Sequence, residues 1–367
     1  MKSVYFHAAL LAGSLFFAWS IWTREDSGAT QAKDEDETEV VFDIPLESVQ
    51  ELNFESERRK VKIAISGSAE NRSYDVSTYR RDERRRPPPR PAKNADGGVQ
   101  DGGAAPEADG GAPAVEVTET RKRFSGNKAL VDWLKTVAPF RAKRSFGTLP
   151  RATLGEFELV EPRGTFTLRA RGKTYTLKVG GTPFGSSDAY VQDARSGRVY
   201  LVAASVVRDL EFAESRFMQR ELVRAETKEI AKVKIEAAGR SKTLVQQNRA
   251  ASGTRAGEGG PSWTAEATPR TRNELYDNWM RRLLGLRAIE YLAPGEEPHA
   301  EGVSTPAVPV VEVECFGDRE SLGTIRIVKL EGDPDAYYAR SDATRGWVKL
   351  SGTLAEQVER DIEAVLR

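Results

Sequence analysis

Residues able to carry covalent or metal chemistry are scarce in this sequence. Of its 367 residues, two are histidine (His7 and His299) and one is cysteine (Cys315). Neither histidine has a second at ligand spacing. A single cysteine rules out an intrachain disulfide and a cysteine-based zinc site. No Ser–His or Cys–His couple is offered for nucleophilic catalysis. Carboxylates abound, so composition leaves open one enzymatic reading, a hydrolase with two converging carboxylates about 5–9 Å apart. No such pair stands out. The expectation is a protein that is not an enzyme and takes no cofactor or metal.

Two motifs remain for binding. Gly180-Gly181-Thr182-Pro183-Phe184-Gly185 would cradle a phosphate only if it opened a helix whose amides face the anion. The residues after it, Ser186 to Tyr190, lead into a strand instead, so a plain loop is expected. Asp188-Ala189-Tyr190 recurs as Asp335-Ala336-Tyr337. In a structural role the aspartate bonds a turn backbone and the tyrosine packs at a strand start. In a functional role the two tyrosines line equivalent grooves, which makes Asp188, Tyr190, Asp335 and Tyr337 the candidate ligand or partner contacts. Lys plus Arg total 55, as do Asp plus Glu. That balance argues against nucleic acid, whose phosphates call for a basic excess.

These motifs sit in a chain that repeats itself. A shift of 146 residues pairs Trp133 with Trp279, Leu130 with Tyr276, Leu134 with Met280 and Val137 with Leu283. The apolar positions recur at i, i+3, i+4 and i+7, one face of an amphipathic helix, so each tryptophan is expected in a core. The Asp-Ala-Tyr match follows at a shift of 147. Upstream, Val49, Leu52, Phe54 and Glu55 pair with Ile230, Val233, Ile235 and Glu236 at a shift of 181. An insertion at 82–114 in the first copy accounts for the difference. It holds Arg84-Arg85-Arg86-Pro87-Pro88-Pro89-Arg90-Pro91 and then glycine-rich sequence, which cannot bury apolar area and is expected to be disordered. Its arginines read as a solvated linker, with docking on an anionic surface as the alternative.

Around the helix, runs such as Lys60 to Ile65 alternate charged and apolar residues as half-buried strands do. Hairpins are expected at Arg171-Gly172 and at Ala194 to Gly197. The fold class expected is α+β: an N-terminal transmembrane helix, then two tandem modules, each an antiparallel sheet with one or two packed helices. The anchor spans 1–23, an acidic flexible stalk 24–39, the first copy 40–215 and the second 216–367. Val4 to Trp22 is 19 residues without a formal charge, nearly enough for a hydrocarbon core of about 30 Å. Lys2 precedes the run and acidic residues follow it. The N-terminus is therefore placed in the cytoplasm, with residues 4–22 in the lipid bilayer of the inner membrane and the bulk of the chain in the periplasm. The alternative is a leader cleaved near Ala18-Trp19-Ser20.

Tyr175 to Thr182, Asp188 to Val191 and Val199 to Val202 together resemble the bacterial domain-of-unknown-function family 4340, as does Phe217-Met218-Gln219-Arg220-Glu221-Leu222 before the next strand. The resemblance implies a membrane helix with repeated extracytoplasmic modules, and an accessory role beside an ABC-type transporter of the gliding-motility kind. It supplies no catalytic residues. The expected function is a non-enzymatic, membrane-anchored extracytoplasmic binding or scaffold protein with an ABC-type membrane complex as partner. The alternative is a module binding a cell-envelope polymer or small ligand in a groove between the two copies.

Overall fold

Val61 and Ile63 are buried while Lys60 and Lys62, alternating with them, reach solvent. This period-2 alternation sets one face of a strand toward a core. It recurs in strands of both halves. The computed structural model describes residues 39–68, 72–85, 115–249, 260–299, 306–332 and 336–367. The first half contains β1 (Glu39–Phe42), β2 (Val49–Ser56), β3 (Arg59–Ser66), β4 (Ser73–Arg85), β5 (Val115–Ser125), α1 (Lys128–Val137), β6 (Phe140–Ala142), β7 (Arg144–Thr148), α2 (Arg151–Glu156), β8 (Gly164–Ala170), β9 (Lys173–Val179), β10 (Ala189–Asp193), β11 (Arg198–Val202), α3 (Ala204–Glu211) and α4 (Ala213–Phe217). The second contains β12 (Lys232–Ala237), β13 (Arg240–Gln247), β14 (Ser262–Ala265), α5 (Glu274–Gly285), β15 (Ala288–Tyr291), β16 (Val308–Phe316), β17 (Ser321–Leu330), β18 (Ala336–Ser341), β19 (Trp347–Leu350) and α6 (Gly352–Leu366).

The strands form three antiparallel sheets. Strands β1 and β6 pair alone, nine strands run β5-β4-β3-β2-β8-β9-β10-β11-β7, and eight run β14-β13-β12-β16-β17-β18-β19-β15. Set against each other, the two large sheets have one order, with β5 added outside β4 in the first. The helices also correspond. Asn127 caps α1 by accepting from the Leu130 amide, and Asn273 caps α5 by accepting from the Leu275 amide. One buries Leu130, Trp133, Leu134 and Val137, the other Tyr276, Trp279, Met280 and Leu283. Two separate apolar cores result, one from Phe42 to Met218 and one from Leu222 to Leu366. Cys315 lies in the second core between Val233 on β12 and Gly323 on β17, and burial pushes its thiol pKa up to about 12.

The expected α+β class is corrected. The described chain is mostly β, with nineteen strands and six α-helices, four of the helices ten residues or shorter. The hairpin-length links leave little chain for helix, and the ladders continue through residues expected to be loop. Strand β4 runs to Arg85, into the expected insertion, because Arg81 to Arg85 pair with Val115 to Glu119 of β5 and so satisfy their backbone groups. Residues 86–114 lie outside the described residues. The expected transmembrane helix is likewise not supported. Among the described residues no helix is long and apolar enough to cross a membrane. The longest, α6, has 15 residues and carries Glu356, Glu359, Arg360 and Asp361, against about 20 apolar residues for a span. The segment 4–22 and all of the stalk but Glu39 lie outside the described residues.

The segment between the cores is tied to both. Gly126 bridges to Met218, and Glu221 to Arg287. The Ala288 amide donates to the Arg220 carbonyl at 2.8 Å, and the Tyr291 hydroxyl donates to the Gln219 carbonyl at 2.7 Å. The Ser125 hydroxyl reaches across to the Thr344 carbonyl at 2.9 Å.

Trp279 is wholly buried, and its indole N–H donates to the Val358 carbonyl of α6 at 3.0 Å. Trp279→Ala removes that packing and the bond, and is expected to cost about 3–5 kcal/mol. Urea unfolding followed by circular dichroism would measure this. A loss below about 1 kcal/mol would mean that the indole is not a core anchor.

Candidate functional site

Tyr190 follows Ala189 and precedes Val191 on β10, and both neighbours are buried in the first core. Alternation therefore turns Tyr190 to the opposite face. There its ring stacks on Phe157, with centroids 3.9 Å apart and planes 6° from parallel. Phe146, on the edge strand β7, stands edge-on to both rings at 5.8 Å. The Arg144 guanidinium lies 5.2 Å from the centre of the Phe146 ring. All three rings are half-buried and stand apart from the main core.

The glycine loop holds this group together. The Gly180 amide donates to the Tyr190 carbonyl at 2.8 Å, the Tyr190 amide to the Gly181 carbonyl at 3.0 Å, and the Gly181 amide to the Phe157 carbonyl at 2.8 Å. A side chain at Gly180 would collide with the Phe157 carbonyl oxygen and with Leu159. The glycine is thus required by the close approach of the α2 exit to the loop. The loop leads into β10 and opens no helix. Near its tip Phe184 is fully exposed. Val160, after α2, is exposed as well.

Asp188 is mostly covered and accepts an ion pair from the Lys143 ammonium at 2.8 Å, while its amide donates to the Ser186 hydroxyl at 3.0 Å. Glu158 pairs with Arg163, whose hydrogen bond holds the carboxyl below its ordinary pKa. Arg144 and Arg151 are exposed. Around the apolar aromatic centre the rim thus has its acids Asp188 and Glu158 neutralised in ion pairs, and Arg144 and Arg151 without an ion-pair partner among the described residues. Among the described residues no cluster of three or more His, Cys, Asp or Glu is placed to hold a metal ion.

The second half does not reproduce this arrangement. Tyr337 is buried in the second core, and its hydroxyl donates to Glu359 on α6 at 2.5 Å. The tyrosine on the outer face of β18 is Tyr338, whose neighbours Tyr337 and Ala339 point inward. The repeated Asp-Ala-Tyr thus falls on opposite faces of β10 and β18. Asp335 lies outside the described residues. Of the four residues singled out in the sequence, Asp188 and Tyr190 come together at one surface, and Tyr337 stands elsewhere. Phe146, Phe157 and Phe184 gave no periodic signal. Phe184 alone carried a local one, a large apolar side chain between proline and glycine in a turn.

Comparison with known families bears on this region. Residues 125–306 match the family described as Domain of unknown function (DUF4340). The DUF4340 match begins at the end of β5, two residues before the α1 cap, contains the whole aromatic group, and ends in the loop before β16. This is the family that the strand and turn patterns resemble. No curated protein and no solved structure matches the chain.

Two glycines of the loop separate packing from conformation. Gly185 has φ +72° and open space around it, so Gly185→Ala is expected to cost only the left-handed backbone strain, about 1 kcal/mol. Gly180→Ala adds a collision with backbone and is expected to cost at least twice as much. Paired thermal melts would rank them, and equal losses would contradict the close approach.

Proposed function

We propose that this chain is a non-enzymatic binding or scaffold protein that docks a partner protein on its aromatic edge. The observation that carries this reading is Phe184, fully exposed on the loop whose base at Gly180 and Gly181 holds the half-buried Phe146–Phe157–Tyr190 group. An apolar ring held in water by a glycine–proline turn gains free energy only when something covers it. Aromatic anchors ringed by polar groups are what dominate protein interfaces. The exposed Arg144 and Arg151 suit a partner with an acidic rim. The family resemblance favours an accessory role at an ABC-type membrane complex, with the modules on the extracytoplasmic side.

The test is affinity recovery from detergent-solubilised native membranes, with wild-type chain and Phe184→Ser compared side by side. Wild type is expected to retain an ABC-type complex. Phe184→Ser should retain it at least 10-fold less well, the loss of a central anchor of about 1.4 kcal/mol or more. The variant's melting temperature should be unchanged, since the side chain packs on nothing. Recovery of the wild-type chain without a membrane partner, or equal recovery by the variant, would overturn the reading.

A further inference from the structure

A second surface lies where the two cores meet. The end of β5, the segment from Tyr291 to Glu297 and the β18–β19 turn enclose a groove of about 300 Å³. That is the lower end of the range for small-molecule sites. Phe124, Tyr291 and Trp347 supply its aromatic lining. Trp347 is more than nine-tenths buried, and its indole N–H has no acceptor among the described residues.

The cations at this groove are unusual in one respect. Arg123 shares Asp75 at 3.4 Å. Arg340 and Arg345 are exposed, and the only hydrogen bonds they make, in the β-ladder and the turn, are main-chain ones; neither guanidinium has a hydrogen-bond or ion-pair partner among the described residues. The acids nearby are Asp75, Glu296 and Glu297. Glu296 is turned back onto the Ala293 amide at 2.8 Å.

The turn that presents Arg345 has a counterpart in the first half. Between β10 and β11 the Gly197 amide donates to the Asp193 carbonyl at 2.8 Å, and the Asp193 carboxylate accepts from the Ser196 amide at 3.1 Å. Between β18 and β19 the Arg345 amide donates to the Ser341 carbonyl at 2.7 Å, and the Ser341 hydroxyl accepts from the Thr344 amide at 3.2 Å. Gly197 has φ +71° and Arg345 has φ +62°. One turn thus uses glycine where left-handed backbone is required, and the other places an arginine there at a conformational cost. The fold draws nothing from that guanidinium. Strain of this kind clusters at ligand clamps and switch regions.

We infer that the groove between the two sheets binds a small oxyanion ligand, a carboxylate or phosphate ester with a flat apolar body, through Arg340 and Arg345 over the Tyr291–Trp347 wall. Guanidinium forks match both oxyanions, and the aromatic wall covers the apolar portion. This site is separate from the aromatic edge and does not depend on the docking reading.

The test titrates the full chain with phenyl phosphate and with benzoate, by calorimetry and by tryptophan fluorescence. Inorganic phosphate and acetate serve as ring-free controls. Wild type should bind at least one aryl probe saturably and at least fivefold more tightly than its ring-free control. Binding of phenyl phosphate alone identifies a phosphate ligand, and of benzoate alone a carboxylate. Arg345→Gly restores the residue that the turn prefers, so its melting temperature should hold or rise while affinity falls at least 10-fold. Arg340→Gln should weaken binding in the same direction. No saturable binding by wild type, or undiminished binding by both variants, would overturn the inference.

Discussion

Everything in this fold hangs on one non-local ladder in each half. Strand β2 pairs with β8 across more than a hundred residues of sequence, and β12 pairs with β16 across more than seventy. Only when those ladders close do the hairpins on either side become one sheet with a continuous apolar face. That face needs the helix at its back. Trp133 and Trp279 fill equivalent places on it, and the two cores share no fully buried residue, with Tyr291 packed against both. Loop closure over such distances costs more as the loop lengthens, though only logarithmically. The larger span of the first half is therefore no obstacle to the same topology.

Much of this could be read in the sequence, because the periods are strong. The helix stripe at a shift of 146 falls on residues with matching burial, and the Leu52–Ile63 pairing of β2 with β3 recurs as Val233–Leu244 in β12 with β13. What failed to show was register. Aligning identical residues put Tyr190 opposite Tyr337, but a one-residue slip exchanges the two faces of a strand. Burial pairs Tyr190 with Tyr338 instead. Shared residue identity ran along the chain while the packing required the neighbouring position.

The aromatic edge was legible only in part, for a different reason. Tyr190 could be singled out because it belonged to a repeated motif. Phe157 follows a six-residue helix and Phe146 lies on an irregular edge strand with a register shift. Neither stands in a periodic run, and their meeting is a matter of tertiary distance. Paired backbone absorbs strongly polar sequence, as the Arg81–Arg85 ladder does, so polar composition alone does not mark where a strand ends. The two halves differ in local detail. One keeps glycine in its last turn and turns its tyrosine outward, whereas the other strains an arginine into that turn and buries its tyrosine against α6.

The lone thiol of the chain, Cys315, is sealed between neighbouring strands and stays protonated well beyond neutral pH. Thiol-directed oxidants and thiol-exchange partners therefore meet no reactive thiol on the folded protein. A disulfide-linked dimer would require this core to open first, whatever the redox poise of the compartment.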